Sequence, residues 1–177
     1  MHQTALDYLK SVKTRFPMYF SGRVVVEYGS MDINGSPRGL FEDCDYIGVD
    51  WRPGKGVDVV SRMHEFTPEW ECGVVVSAST MEHDKHLYKS LDRCWEILCP
   101  RGLLLVTTVN EKWPMHSPEA GEDGYYRGVN ADELKAWLLS KNPAEYEFKT
   151  ESGHSDREIF LYAIKDDENP RGRLPVA

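Results

Sequence analysis

The chain divides into short apolar runs and longer segments in which apolar residues recur at helical spacing. Runs of four to eight mostly apolar residues predict five strands, at residues 23–28, 46–50, 57–60, 73–77 and 102–109. Continuous apolar runs of this length are typical of strands that are covered on both faces of a sheet. Two later strands are predicted at residues 146–149 and 158–164, joined by the turn-rich segment 151–156.

Three segments have the apolar periodicity of amphipathic helices. The first spans residues 3–16, and the second spans residues 86–99 and is expected to end at Pro100. The third is expected to begin after Asn130, because Asn130 and Glu133 have the spacing of a capping box. These helices separate several of the predicted strands.

Short apolar strands that alternate with helices indicate an α/β protein with a parallel sheet and helices on both faces. The two late strands would add an antiparallel edge. We therefore predict a doubly wound, mostly parallel seven-stranded sheet with a C-terminal antiparallel hairpin, in a single domain of residues 1–165. Residues 166–177 are polar and contain prolines, and this composition predicts a disordered tail.

Composition and charge narrow the classes of partner. The chain has 177 residues and a formal net charge of −8, and acidic proteins are poor electrostatic matches for nucleic acid or anionic lipid. No run approaches the length of a membrane helix, and the first sixteen residues lack the apolar core of a signal peptide. We therefore expect a cytoplasmic protein that binds neither nucleic acid nor membranes.

The cysteines and histidines give no metal-site spacing in the sequence. The four cysteines form no C-x-x-C pair, and Cys94 and Cys99 lie in a stretch with helical periodicity, which predicts buried free thiols. His64-Glu65 and Glu82-His83-Asp84 contain residues that bind metals, but neither has the H-E-x-x-H arrangement. The sequence therefore predicts no metal site.

The first two strands end in residues that suit a nucleoside-containing cofactor. In a doubly wound sheet, ligands bind at the carboxyl ends of the strands, near the point where the strand order reverses. Gly29 follows the first strand and lets the backbone approach a ligand closely, and Asp50 ends the second strand, where its carboxylate can accept both hydroxyls of a ribose. The alternative is that Gly29 only serves a turn and that Asp50 is only a turn carboxylate.

Four segments in order resemble the motifs of class I S-adenosylmethionine-dependent methyltransferases. They are VVVEYGSMDINGS, YIGVDW, VVVSASTMEH and LDRCWEILCPRGLLLVTTV, and the resemblance covers residues 23 to about 164. It implies a Rossmann-like methyltransferase fold, S-adenosylmethionine as the cofactor and S-adenosylhomocysteine as the product. A nicotinamide dinucleotide is a poorer match, because the G-x-G-x-x-G fingerprint would need glycines at positions 31 and 34.

The resemblance also implies which residues contact the cofactor. Glu27 would lie near the methionine part, and Asp50 would hold the ribose. Met63 and His64 would border the adenine ring, and Ser77 would lie near the transferred methyl. The full set of implied cofactor-binding residues is Glu27, Tyr28, Gly29, Ser30, Asp50, Trp51, Met63, His64 and Ser77.

The chain departs from the family pattern at the glycine-rich loop. Where the family has E-x-G-x-G-x-G, this chain has Glu27-Tyr28-Gly29-Ser30-Met31-Asp32-Ile33, so that Met31 and Ile33 stand in the place of glycines. Arg62 stands where many members carry an acidic residue. These changes leave open whether the cofactor binds tightly.

The segment after the fifth strand carries the candidate acceptor chemistry. It resembles a P-x-H…D-x-Y-R stretch of methyltransferases from glycan and small-molecule gene clusters. His116 is the candidate catalytic base, because a histidine can accept a hydroxyl proton near neutral pH. His83, Tyr126 and Arg127 are candidate acceptor-binding residues. The alternatives are that Tyr125 and Tyr126 pack the loop, that Arg127 pairs with an acidic neighbour such as Asp123, and that His83 is a polar residue at a helix start.

Two functions follow from these patterns. The first is methyl transfer to a hydroxyl of a small molecule or glycan. The alternative is a non-catalytic S-adenosylmethionine-binding or S-adenosylhomocysteine-binding module or partner subunit, suggested by the two missing glycines. A nucleic-acid or protein methyltransferase is disfavoured by the acidic charge and by the absence of an Asp/Asn-Pro-Pro-aromatic run after the fourth strand. The oligomeric state stays open.

Overall fold

A computed structural model describes residues 2–117, 120–150 and 156–167 of the chain. It contains one seven-stranded sheet with the strand order β3-β2-β1-β4-β5-β7-β6. The strands are β1 Val24–Tyr28, β2 Asp45–Asp50, β3 Val59–Val60, β4 Cys72–Ala78, β5 Leu98–Val109, β6 Glu145–Lys149 and β7 Glu158–Ile164.

The strand directions follow the predicted pattern. β1 to β5 pair in parallel, whereas β7 runs antiparallel to both β5 and β6. β1 lies at the centre, and Val26 faces Ile47 of β2 on one side and Val75 of β4 on the other. The predicted doubly wound, mostly parallel sheet with a C-terminal antiparallel hairpin is confirmed.

Helices cover both faces of the sheet and bury its alternating side chains. Helix α1, Gln3–Arg15, packs on the face that includes Val25, whereas α2, Leu87–Ile97, and α3, Ala131–Ser140, pack on the face that includes Val26. Both valines are fully buried, which explains why their strand reads as a continuous apolar run. No helix of the described residues is long and apolar enough to cross a membrane.

The structure corrects the boundaries of three predicted elements. The fifth strand was predicted at 102–109 but begins at Leu98. The third strand was predicted at 57–60 but consists of Val59 and Val60 alone. The second helix was predicted to continue to Cys99, but it ends at Ile97, because Leu98 already pairs with Cys72 in the sheet. Most of the turn-rich segment 151–156 and of the tail 166–177 lies outside the described residues.

All four cysteines are free thiols in the structure. Cys72 and Cys94 are fully buried, and burial raises the pKa of both thiols. Cys99 is half-buried in the first part of β5 rather than on the helix. Buried, protonated thiols are poor nucleophiles, so Cys72 and Cys94 contribute packing to the fold.

Candidate functional site

A cavity of about 330 Å³ opens at the carboxyl ends of β1, β2 and β4. The strand order reverses between β1 and β4, so the cavity lies at the topological switch point of the sheet, where doubly wound folds bind ligands. Its size is within the range of small-molecule sites. The residues along its wall are His2, Glu27, Tyr28, Gly29, Met31, Ile33, Asn34, Gly35, Pro37, Asp50, Trp51, Arg52, Ala78, Ser79, Thr80, His83, His116, Ser117 and Ala120.

Gly29 makes the tight turn that follows β1. Its φ of +75° lies in the left-handed region, and its N–H donates to the carbonyl oxygen of Val49 at 2.9 Å. A β-carbon at this position would lie 2.1 Å from the side chain of Thr80, which follows β4. Only glycine therefore lets the backbone pass between the two strand ends.

Glu27 is a buried carboxylate in the cavity wall. It is 3% exposed and accepts hydrogen bonds from the hydroxyls of Tyr46 at 2.9 Å and Ser36 at 3.1 Å. Burial raises its pKa to about 7, although the two hydroxyls favour the ionised form. Beside it, Tyr28 donates its hydroxyl to the Oδ2 atom of Asp84 at 2.7 Å.

Asp50 presents a carboxylate to the same cavity from the end of β2. Its Oδ2 atom accepts the N–H of Met31 at 3.2 Å, and its Oδ1 atom accepts the N–H of Arg52 at 3.3 Å. Each oxygen keeps a lone pair for a further donor. Burial raises the pKa of Asp50, whereas these backbone N–H groups oppose the rise.

Four of the implied cofactor-binding residues do not border the cavity. Ser30 and Ser77 are buried, with side chains turned into the protein next to β2 and within β4. Met63 is fully buried in the core. The ring of His64 packs against that of His86 at 4.4 Å between centroids.

The two residues that replace family glycines are accommodated in different ways. Met31 borders the cavity, and its thioether packs so close to Gly54 that a β-carbon there would lie 2.7 Å from the sulfur. Ile33 lies at the cavity mouth with 52% of its surface exposed. The absence of a side chain at Gly54 therefore makes room for the side chain of Met31.

A loop from β5 closes the opposite wall. It carries His116, and its ends are held together by pairing between Asn110 and Val129. Two side chains reach it from beyond β2 and β3. Trp51 donates its indole N–H to the carbonyl oxygen of Ala120 at 3.1 Å, and Arg62 forms a two-point ion pair with Glu122.

His83 and His116 come together in the cavity wall, with Tyr126 packed beside them. The ring centroids lie 5.6 Å apart for the two histidines, and the ring of Tyr126 is 5.3 Å from His83 and 5.1 Å from His116. Arg127 is directed elsewhere, toward a second cavity of about 280 Å³. Asp123, suggested as its partner, pairs with Lys85 at 2.6 Å.

Glu82 adjoins this wall from the core, and His2 forms part of it, although no partner for His2 was evident from the sequence. Glu82 is fully buried. Its Oε2 atom accepts the Thr108 hydroxyl at 2.8 Å, and its Oε1 atom lies 4.0 Å from the His116 Nε2 atom. Burial raises the pKa of Glu82 to about 7. His2 stacks on Trp113 at 4.8 Å, a contact for which the sequence has no local signal.

Comparisons with known proteins found likeness in structure alone. No protein-family model and no curated protein sequence matches the chain. Among solved structures, the 1,6-didemethyltoxoflavin-N1-methyltransferase of Burkholderia thailandensis has a TM-score of 0.64 at 15% identity, over 93% of this chain and 79% of that one. It was solved with 1,6-didemethyltoxoflavin and S-adenosylhomocysteine bound.

Two further solved structures match the chain with similar TM-scores and sequence identities. The N-methyltransferase NodS of Bradyrhizobium japonicum has a TM-score of 0.60 at 11% identity, over 90% of this chain and 97% of that one. An S-adenosylmethionine-dependent methyltransferase of Archaeoglobus fulgidus has a TM-score of 0.60 at 18% identity, over 90% of this chain and 94% of that one. At these identities the likeness shows a shared fold, which is the Rossmann-like fold of this class of methyltransferase.

Proposed function

We propose that this chain, which has the fold of the class I S-adenosylmethionine-dependent methyltransferases, binds S-adenosylmethionine in the switch-point cavity and transfers its methyl to a small molecule. The observation that carries the proposal is that one cavity is bordered by Gly29 and Asp50 on one side and by His83 and His116 on the other. The first pair suits a nucleoside cofactor, and the second suits a proton-bearing acceptor.

The residues of the cavity fit S-adenosylmethionine. Asp50 has a free lone pair on each oxygen for the two ribose hydroxyls. The turn at Gly29 brings backbone rather than side chain to the ligand. Glu27 supplies a buried carboxylate near the strand end, where an ammonium group of the cofactor would favour its ionised form.

The bound cofactor supplies an activated methyl group, and the chain's own residues orient and deprotonate the acceptor. His116 is the residue that we assign as the base. Its Nδ1 atom lies 3.4 Å from the carbonyl oxygen of Pro114, so that an N–H there leaves the lone pair on Nε2. The buried carboxylate of Glu82, 4.0 Å from Nε2, would stabilise the charge that the imidazole gains.

For the acceptor, we assign a hydroxyl of a small molecule or glycan. The cavity offers it the imidazoles of His83 and His116, and the ring of Tyr126 packs against both of them without bordering the cavity. Aromatic faces pack well against the apolar faces of sugars and ring systems. Arg127 is not part of this assignment, because its side chain borders the second cavity.

Calorimetric titration with S-adenosylmethionine and S-adenosylhomocysteine tests cofactor binding. Replacing Asp50 by Ala should weaken both ligands by about 10-fold to 100-fold, since hydrogen bonds to charged groups contribute about 1.5–3 kcal/mol. The matched control is Asp45→Ala, because Asp45 is an exposed carboxylate at the other end of the same strand. Absence of binding by the intact chain would reject the proposal.

Methyl transfer from isotopically labelled cofactor to a panel of hydroxyl and amine acceptors tests catalysis. His116→Gln should lower kcat on a hydroxyl acceptor by about 10²-fold to 10⁴-fold while cofactor affinity stays the same. Binding of the cofactor without transfer to any acceptor would favour the non-catalytic module instead.

A further inference from the structure

Three side chains that can bind metals meet where the acceptor side of the cavity borders the core. One carboxylate oxygen of Glu82 and one ring nitrogen each of His83 and His116 all lie within 4.8 Å of one another. Glu82 and His83 occupy a single turn after β4, whereas His116 comes from the loop after β5. The sequence predicted no metal site because the third residue is distant along the chain.

The carboxylate of Glu82 is built into the protein and directed at the two histidines. Glu82 is fully buried. Its Oε2 atom accepts a hydrogen bond from the Thr108 hydroxyl, and its backbone carbonyl oxygen accepts one from the N–H of Arg127. Its Oε1 atom accepts no hydrogen bond from any described residue. A buried carboxylate oxygen without a donor is costly, and a cation is the partner that offsets this cost best.

His116 is oriented as metal-binding histidines usually are. Such histidines donate one ring N–H to a carbonyl or carboxylate, which fixes the ring and leaves the other nitrogen for the ion. The Nδ1 atom of His116 faces the carbonyl oxygen of Pro114 at 3.4 Å, and its Nε2 atom faces Glu82. The Tyr126 ring packs against both histidines and limits their rotation.

We propose that Glu82, His83 and His116 hold one divalent first-row transition-metal ion, with open coordination positions facing the cavity. Two imidazoles with one carboxylate form the donor set of Zn²⁺, Fe²⁺, Co²⁺ and Mn²⁺ sites, whereas Mg²⁺ and Ca²⁺ prefer oxygen ligands alone. Three protein ligands leave room for the oxygens of a substrate.

This inference rests on the proposed function and narrows its acceptor class. The ion would bind an acceptor that has a hydroxyl and a second oxygen on neighbouring atoms, such as a vicinal diol or an α-hydroxy acid. Coordination lowers the pKa of the bound hydroxyl, and its proton passes to solvent. The oxygen then forms a bond to the methyl carbon, while the electron pair of the breaking carbon–sulfur bond stays on sulfur. With the ion bound, His116 acts as a ligand, and in the metal-free protein it acts as the base.

Cobalt titration of the metal-free chain, followed by visible absorption, tests the site without cofactor or acceptor. We expect one Co²⁺ per chain, displaced by one equivalent of Zn²⁺. Glu82→Gln, His83→Ala and His116→Ala should each weaken binding by about tenfold or more. The control is His86→Ala, an exposed histidine on the same connection, which should leave binding unchanged. Circular dichroism checks that each variant is folded.

The outcomes separate the site from the proposed function. Weak cobalt binding that is equal in the intact chain and in all three folded variants would overturn the metal site, whereas S-adenosylhomocysteine binding by the same metal-free protein would leave the proposed function standing. Conversely, tight cobalt binding in a chain that binds no cofactor would support the site and reject methyl transfer. If both hold, methyl transfer to a vicinal diol should fall on chelation and recover when Co²⁺ or Zn²⁺ is added.

Discussion

Gly29 is the residue on which the geometry of the cofactor side depends most directly. Gly29→Ala should cost about 1–2 kcal/mol for the left-handed conformation and about 1–3 kcal/mol more for the contact with Thr80. Urea unfolding measures the total, and calorimetry measures the accompanying loss of cofactor affinity.

The control for this prediction is Gly22→Ala. Gly22 has a similar φ of +62°, but nothing lies within 4 Å of the position of a β-carbon there. It should therefore show the cost of the left-handed conformation alone. Equal losses in the two variants would mean that the strand ends separate without cost and that the close approach of Thr80 is not tight.

Glu27 makes the stability of the fold depend on pH. Its pKa is about 7 in the folded chain against an ordinary value of 4.5. As the pH rises, Glu27 therefore loses its proton at a lower pH in the unfolded chain than in the folded chain. The free energy of unfolding is therefore highest below pH 4.5 as far as Glu27 is concerned. It falls by roughly 3 kcal/mol as the pH rises to about 7, and it then levels off.

Glu27→Gln removes this titration and provides the measurement. The difference in unfolding free energy between the variant and the intact chain should grow in favour of the variant from pH 4.5 to pH 7. Tyr46→Phe is a useful comparison, since it removes a donor to the carboxylate and should raise the pKa further. A difference that is constant with pH would show that Glu27 is ionised throughout.

At the scale of elements, the N-cap of α3 illustrates how local sequence fixes an element boundary. The side chain of Asn130 accepts the backbone N–H groups of Asp132 and Glu133 at 3.1 and 3.0 Å. Asn130→Ala should lower the free energy of unfolding by about 1 kcal/mol, whereas Asn130→Asp should lower it much less, because an aspartate also caps a helix. Thermal or urea unfolding of the two variants makes the comparison, and an equal loss in both would exclude capping as the cause.

The predicted boundaries of elements were correct where neighbouring residues determine them. They were wrong where pairing with a distant strand determines them. The cap at Asn130 and the apolar run of β1 need only neighbouring residues to be recognised. By contrast, the helical periodicity continues past Ile97, and α2 ends there because Leu98 pairs with a strand that precedes it by many residues. The brevity of β3 likewise depends on how little of it pairs with β2.

At the scale of the whole molecule, the ion pair between Arg62 and Glu122 joins the end of β3 to the loop that carries His116. Both side chains are partly exposed, so Arg62→Ala should change the free energy of unfolding little. It should, however, speed the dissociation of S-adenosylhomocysteine by about fivefold, the equivalent of about 1 kcal/mol, because the loop then opens more often.

Stopped-flow displacement measures this rate. Lys85→Ala is the control, since it breaks the neighbouring and more exposed pair with Asp123 on the same loop. A dissociation rate that responds equally to the two variants would attribute the effect to charge rather than to closure of the loop.

The arrangement of the whole sheet and its loops explains which part of the candidate site could be predicted from the sequence. Gly29 and Asp50 were identified because the carboxyl ends of parallel strands meet at one edge of a sheet. His83 and His116 were also predicted on the acceptor side. Their close approach to a carboxylate oxygen of Glu82 was not predicted, because it depends on the course of the long loop between β5 and α3. His2 reaches the cavity only because α1 begins beside Trp113. The family motif implied that Met63 borders the adenine, but Met63 is buried in the core and does not border the cavity.

The stacking of His2 on Trp113 has a practical consequence for anyone who prepares this protein. Because His2 borders the cavity and its ring lies 5.9 Å from that of His116, a peptide fused ahead of it would begin at the mouth of the site. A polyhistidine purification tag there would supply competing imidazoles and obstruct ligand entry.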